Sequence, residues 1–405
     1  MWYLYGKKYD FSTWMDSHPG GSDILEQTRG ITDCTALFET YHAFSNRSYM
    51  LTQLQKYEVK DTLVMPITTK YEYKFDTYHK LVDRIKKIYP TRQFIKASYS
   101  WIYYSLTILS CYITTFYIAM NSDYTMVYRC IASFIAAVTW LSLAFNVMHD
   151  GSHYAISTDA YTNQLCTRIW NQWGLWNSLI WFYHHVYNHH SFTGEEHKDP
   201  DLYHFRPFVR KTKNDKINQF FLKHQTYILA LSAIVFPGQY IGQVISYIRA
   251  SFKKRIFSIN IPNITYYKLI DIIINLLSLY TLSYGLDGPT YLYLITLNTL
   301  YHINTELDHD TYETMQDHTT SKDWLHIQVK HSNNFMNHNN IWTRLFGGIN
   351  YQIEHHLFPN MCNEHYPKIQ PIVQQFCKEN DLPYHHHPSL VGAYTSFLKM
   401  LEHMR

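Results

Sequence analysis

Two long apolar stretches dominate the middle of the chain, Ser98 to Met120 and Met126 to Met148, separated by Asn121-Ser122-Asp123. At 1.5 Å of helical rise per residue, each is long enough to cross a hydrocarbon core of roughly 30 Å. Neither contains Asp, Glu or Lys, so the pair is expected to be a membrane-spanning hairpin. A second apolar hairpin is expected from Lys268 to Gly285 and from Thr290 to Ile303, joined by Leu286-Asp287-Gly288-Pro289. Both arms are short, so their ends are expected inside protein. Tyr227 to Tyr247 is also apolar but is broken at Pro237-Gly238. Basic clusters flank it, Arg206 to Lys216 and Lys253-Lys254-Arg255, and put both flanks on the cytosolic side by the positive-inside rule. That segment is therefore expected to dip or lie in the interface, leaving four spans with both termini cytosolic.

Residues 1–60 follow a different pattern, that of a small soluble unit. Trp2 to Asp10 reads as a hairpin around Gly6, and Phe11 to Met15 as a short helix. His18-Pro19-Gly20-Gly21-Ser22 presents a histidine at a loop rim, where proline and glycine let the backbone turn tightly. His42 follows a helical stretch within Leu37 to Ser45. Residues 61–95, mixed in charge and containing Pro66 and Pro90, read as a linker along the membrane surface. Residues 96–405 make up the membrane domain.

Composition sharpens this picture. A net charge of +3 over 405 residues gives no reason to expect a nucleic-acid partner, whereas 25 His beside 37 Tyr, 22 Phe and 10 Trp suits metal sites plus aromatic belts at membrane interfaces. The six cysteines form no CxxC pair, so reduced thiols are expected. Met1-Trp2-Tyr3-Leu4-Tyr5-Gly6 leads straight into polar sequence, so no cleavable signal peptide is expected.

The histidines cluster. His149-Asp150-Gly151-Ser152-His153 stands at the cytosolic end of the second span, and its i,i+4 spacing puts both imidazoles on one helix face. His184-His185-Val186-Tyr187-Asn188-His189-His190 repeats that spacing at His185 and His189, with His190 turned toward a neighbouring ion. Asn298 and His302 lie four apart near the end of the fourth span. Gln352-Ile353-Glu354-His355-His356 follows Gly347-Gly348 and precedes Leu357-Phe358-Pro359. In the expected topology all four groups meet at one membrane face. Histidine is costly in lipid and gathers there for a site. Imidazole, carboxylate and amide oxygen, with no thiolate nearby, suit a redox metal of iron type. His197, His204, His309, His318, His326, His331 and His338 lack a helpful spacing, and Tyr384-His385-His386-His387-Pro388 reads as a solvated tail.

Two resemblances follow from these motifs. HPGG with YHAFS 24 residues later resembles the cytochrome b5 domain and implies an N-terminal α+β haem unit with His18 and His42 as axial ligands of haem b. In that family another strand and helix precede the region matching Trp2. HDGSH, HVYNHH and QIEHH resemble the cytochrome-b5-fused front-end fatty acyl desaturases over nearly the whole chain, Gln352 being the most specific mark. The resemblance implies an all-α membrane domain with a cytosolic cap and two non-haem irons, held by His149, His153, His185, His189, His190, His302, His355 and His356. Asn298 and Gln352 are weaker or water-mediated ligands in that reading. It further implies an O2-dependent cis desaturation of a long-chain acyl-lipid or acyl-CoA, electrons from an NADH-cytochrome b5 reductase, and an endoplasmic-reticulum membrane. Asp150, Glu354 and Asp199 are candidates for orienting imidazoles. Desaturation of a sphingoid base, lipid hydroxylation, and a non-enzymatic membrane haem carrier are the competing readings.

Overall fold

A computed structural model describes residues 1–31, 33–60, 74–203, 205–235, 249, 252–256, 259–260, 269–283, 287–315 and 323–405. The N-terminal unit opens with an antiparallel hairpin, Trp2–Leu4 against Lys7–Tyr9, in which Trp2 pairs with Tyr9. Tyr5 and Gly6 both have positive φ, 52° and 70°. That is the two-residue turn whose twist matches the strands it joins. Phe11 to Met15 is not the short helix expected; turns there lead into a 3-10 turn at Met15–Ser17. Helices Ser22–Thr28, Thr35–Tyr41 and Arg47–Tyr57 complete the unit.

Residues 61–73 of the expected linker lie outside the described residues, but the rest is no tether. Asp76–Lys86 is a helix that buries Tyr78, Leu81, Val82 and Ile85. The three- and four-residue spacing gathers them into one stripe, packed in a core with Trp324, Phe358 and Phe376. Ala36 and Phe44 of the N-terminal unit belong to the same core. A second shared core joins Trp2, Leu4 and Leu37 to Ile180, Tyr183 and Tyr187. The Tyr183 and Tyr187 hydroxyls donate to the carbonyls of Gln27 (2.7 Å) and Asp33 (2.6 Å). The N-terminal unit is thus seated on the second histidine motif.

Among the described residues, two helices are long and apolar enough to cross a membrane, Arg92–Met120 and Met126–Ser152. Tyr103, Leu106, Ile113 and Tyr117 of the first face outward, a finish suited to lipid rather than water. The second is two-thirds buried, with Trp140 packed in a core with Trp170, Trp176 and Leu297. The expected second hairpin is present as helices Leu269–Ser283 and Gly288–His309. The latter continues past the expected end at Ile303 and carries Glu306, Asp308 and His309 inward, so its last turns belong to the protein interior. Buried Arg129 donates to the carbonyl of Ala119 (3.0 Å) and pairs with Asp287, tying the hairpins together. Tyr227 to Val235 continues helix Gln219–Val235, and residues 236–248 lie outside the described residues.

Part of the flanking basic cluster is internal. Lys211 is buried against Glu306 (3.1 Å) and Asp310, and Arg206 pairs with Asp215. These charges answer local carboxylates, which a loop-charge count does not see. The histidine-rich tail is not a solvated extension either. His385–His387 forms a parallel strand with Asn333–Phe335.

Candidate metal centre and haem pocket

The second histidine motif and the approach to the first are π-helical, at Phe182–His189 and Ala144–His149, whereas Asp150–Ser152 within the first motif is α-helical. Bonding from i to i+5 changes which side chains share a face. His185 and His190, five apart, bring their Nε2 atoms within 3.3 Å, while His189 points to a second group. The i,i+4 pairing of His185 with His189 presumed α geometry and does not hold.

In the first group the ligand atoms of His149, His153, His185 and His355 all lie within 4.8 Å of one another. His149 Nε2 is 3.0 Å from His185 Nε2, and His190 Nε2 is 3.1 Å from His355 Nε2. In the second group, His309 Nε2 is 3.1 Å from His189 Nε2 and 3.0 Å from His356 Nε2. Gln352 Nε2 is 2.7 Å from the same atom of His309, and a half-turn of the amide puts its oxygen there instead. Nitrogens about 3.0 Å apart match the edge of an octahedron with metal–nitrogen bonds of about 2.1 Å.

Five of the outer nitrogens are held. His153 Nδ1 meets the Tyr41 hydroxyl (2.8 Å), His355 Nδ1 the Tyr366 hydroxyl (3.1 Å) and His356 Nδ1 the Gln328 amide oxygen (2.8 Å). His309 Nδ1 meets the carbonyl of His331 (2.7 Å), and His189 Nδ1 meets Asp199 (3.0 Å). Holding Nδ1 fixes the tautomer and aims Nε2 inward, the arrangement of metal-ligating histidines. His153 Nε2 is buried and finds no hydrogen-bond partner. Burial first, and neighbouring imidazoles second, hold His153, His185, His190, His355 and His356 well below the usual imidazole pKa. Neutral imidazole is the ligating form. Burial also opposes charge on His189, but Asp201 and Asp199 raise it to about 9. The donor set fits two metal ions.

His302 does not reach either group. Its Nδ1 faces Glu306 Oε1 (3.8 Å) and its ring packs on Phe205, 5.2 Å between centroids. Asn298 is buried one turn earlier on the same helix. The histidine this helix brings to the cluster is His309, two turns beyond His302 on the same face. Pairwise i,i+4 spacing missed it; the i,i+7 relation carried the signal. Gln328, three residues before His331, carries no spacing signal of its own, yet it holds His356. Of the three carboxylates expected to orient imidazoles, Asp199 does so. Glu354 instead bonds Asn334 and Tyr384 (2.8 Å each), and burial raises it to about 7. Asp150 accepts from Asn363 N and Nδ2 (2.9 Å each) and lies 3.9 Å from His149 Nδ1. Gly347 makes the last motif's docking possible, because a Cβ there would lie 2.6 Å from the Phe145 backbone of the first π-turn.

In the N-terminal unit, His18 and His42 face each other across a cavity of about 340 Å³, with ring centroids 6.3 Å apart. An iron with a nitrogen about 2 Å away on either side fills that separation. His18 Nδ1 meets the carbonyl of Gly21 (3.1 Å) and His42 Nδ1 that of Phe38 (2.8 Å), leaving both Nε2 atoms for a metal. The HPGG motif has a steric reason: a Cβ on Gly20 would sit 2.6 Å from the His18 ring. Leu37, Phe38 and Leu54 give the cavity an apolar lining, and Arg92 adds a cation at its wall. The pocket fits a haem.

Comparison with known proteins agrees with both sites. The fatty acid desaturase family model matches residues 124–388. The chain belongs to the fatty acid desaturase family. Residues 1–73 of this desaturase match the cytochrome b5-like heme/steroid binding domain. It is 27% identical to acyl-lipid (8-3)-desaturase of Physcomitrium patens, over 96% of this chain and 85% of that one. It is 26% identical to acyl-lipid (8-3)-desaturase of Mortierella alpina, over 99% and 92%. It is 23% identical to Delta(8)-fatty-acid desaturase 1 of Arabidopsis thaliana, over 94% and 84%. This desaturase is therefore an oxidoreductase of the front-end type, with haem in its fused cytochrome b5 domain and a di-iron centre in a membrane-bound helical domain.

Proposed function

We propose that this desaturase introduces a cis double bond between an existing one and the carboxyl end of a long polyunsaturated acyl chain carried on a lipid or CoA. One iron is held by His149, His153, His185, His190 and His355. The other is held by His189, His309 and His356, with Gln352 beside it. Such a pair supplies oxygen activation for removing two hydrogens from adjacent methylenes. The chain's own part is to keep the imidazoles of His153, His185, His190, His309, His355 and His356 neutral by burial, to aim the donor set and shield it from bulk water, and to hold the acyl chain so that one carbon pair faces the pair. His18 and His42 hold the haem that passes on electrons from an NADH-dependent reductase. Four spans in the endoplasmic-reticulum membrane, with the histidines and both termini cytosolic, complete the reading.

The observation carrying the proposal is the convergence of two imidazole groups, each aimed by held Nδ1 atoms, beside a bis-histidine pocket in one chain. The named activities of the relatives support the substrate class. The test is to express the protein in a desaturase-poor host fed a panel of long-chain fatty acids, with mass spectra of the methyl esters. The expected product is lighter than a fed acid by two hydrogens, with the new bond on the carboxyl side. Unchanged acyl chains alongside altered sphingoid bases, or a gain of one oxygen, would overturn it. So would purified protein containing haem but no non-haem iron.

A further inference from the structure

The haem pocket and the histidine groups meet around Tyr41. Tyr41 is the last residue of helix Thr35–Tyr41, adjacent in sequence to His42, and it lines the haem cavity. Its hydroxyl lies 2.8 Å from His153 Nδ1. Its carbonyl accepts from Asn360 Nδ2 (2.9 Å), and Tyr154 packs edge-on against its ring at 6.3 Å. Asn360 follows Pro359 at the end of the third histidine motif, so Tyr41 is fixed at both ends by the desaturase body. Among the Nδ1 partners described above, Tyr41 alone comes from the haem unit. It holds the imidazole whose Nε2 is buried without a hydrogen-bond partner.

We propose that Tyr41 is the bridge over which electrons pass from the haem to the metal centre, an inference that rests on the desaturase reading. From His42 the path runs through the Tyr41 backbone and ring, crosses one O–H···N hydrogen bond and enters the His153 imidazole. It contains no through-space gap other than that bond. Each passage takes one electron from ferrous haem, leaving it ferric, and reduces one ferric iron to ferrous. Tyr41 ends unchanged, neither oxidised nor deprotonated, and the reductase restores the haem. Two passages prepare one desaturation. The tight seating of the haem unit acquires a purpose from this, since an electron donor docked elsewhere would lack the contact.

The test uses full-length protein whose haem has been reduced through NADH and reductase, then mixed with oxygen and substrate in a stopped-flow instrument. Tyr41→Phe keeps the ring and removes the hydrogen bond. Haem reoxidation should slow by about tenfold, equivalent to ~1.4 kcal/mol of added barrier, with haem spectrum and iron content unchanged. Tyr41→Leu, lacking the ring as well, should be slower still. A single turnover begun from protein whose haem and iron were both reduced chemically bypasses the bridge, and should fall by less than the haem rate. Reoxidation at the unaltered rate in Tyr41→Phe overturns the bridge. Equal falls in both measurements, or loss of iron, make Tyr41 only a support for His153 and also overturn it. Haem reoxidation in unaltered protein that is the same with and without bound iron would instead sink the desaturase reading, so the two failures are told apart.

Discussion

The proposed haem pair and the proposed di-iron cage use the same side chain but hold it differently. His18 and His42 have their Nδ1 atoms on backbone carbonyls, those of Gly21 and Phe38. In the cage, Tyr41, Asp199, Gln328 and Tyr366 hold four of the outer nitrogens, and a backbone carbonyl serves only His309 among those described. A carbonyl cannot be removed by substitution, so the haem pair is buffered against change except at the ligands themselves. The cage depends on a surrounding layer of side chains from distant segments. Sensitivity to remote substitution should therefore be low around the haem and high around the cage.

The largest effect is expected at the ligands. His309→Ala should cut product formation by more than about 100-fold and lower non-haem iron, while the b-type haem spectrum stays intact. His302→Ala should retain most product, since that ring packs on Phe205 outside both groups. The pair of variants, scored by methyl-ester analysis and iron content, decides which histidine of the helix serves the metal. Equal loss in the two would return His302 to the ligand set.

Next is the surrounding layer. Gln328 accepts from His356 Nδ1 (2.8 Å) and from the Thr193 hydroxyl (2.9 Å), and donates to the carbonyl of His190 (3.2 Å). It thus steadies both iron groups. Gln328→Ala should reduce iron affinity by about 10–100-fold, the usual size for such partners, and leave haem content unchanged. Full iron retention in this variant would break the contrast between the two sites.

The same contrast explains what could be read from the chain beforehand. His18 and His42 lie in short motifs whose geometry is local, and Ser98–Met120 foretold the helix Tyr99–Met120 to within a residue. QIEHH too was recognisable, because Gln352, His355 and His356 all sit on one short helix, Gln352–Leu357. Helix phase was not readable. The π-winding of Phe182–His189 reassigns His189 and His190 between groups, and nothing in residue type announces a switch from i+4 to i+5 bonding. His309 was hidden because the expected span stopped at Ile303, where apolar residues give way to Glu306 and Asp308. The His385–His387 strand and the buried face of Asp76–Lys86 depend on partners far along the chain, which periodicity reports only as an apolar stripe or a polar run.

The smallest effect probes how the haem unit is fastened. Glu39 is buried and accepts from Tyr5 (2.6 Å), from Arg47 (2.7 Å) and from His79 Nε2 (2.9 Å) on helix Asp76–Lys86. Burial alone would raise its pKa, but the bonds from His79, Arg47 and Tyr5 prevail and bring it to about 2. A carboxylate depressed on folding stabilises the structure above its unfolded pKa, and that stability is lost as pH falls toward the folded value. Glu39 therefore contributes fully above about 4.5 and progressively less down to about 2. Glu39→Gln keeps the shape and removes the charge. Its melting temperature by tryptophan fluorescence should be lower at neutral pH by about 2–4 °C, and the gap should close as pH falls through that window. Half-exposed Arg47 limits the size, because solvent screens its share. A gap that persists unchanged down to pH 2 would show that the carboxylate's charge does not fasten the two parts, leaving the shared apolar cores around Phe44 and Tyr187 to do so alone.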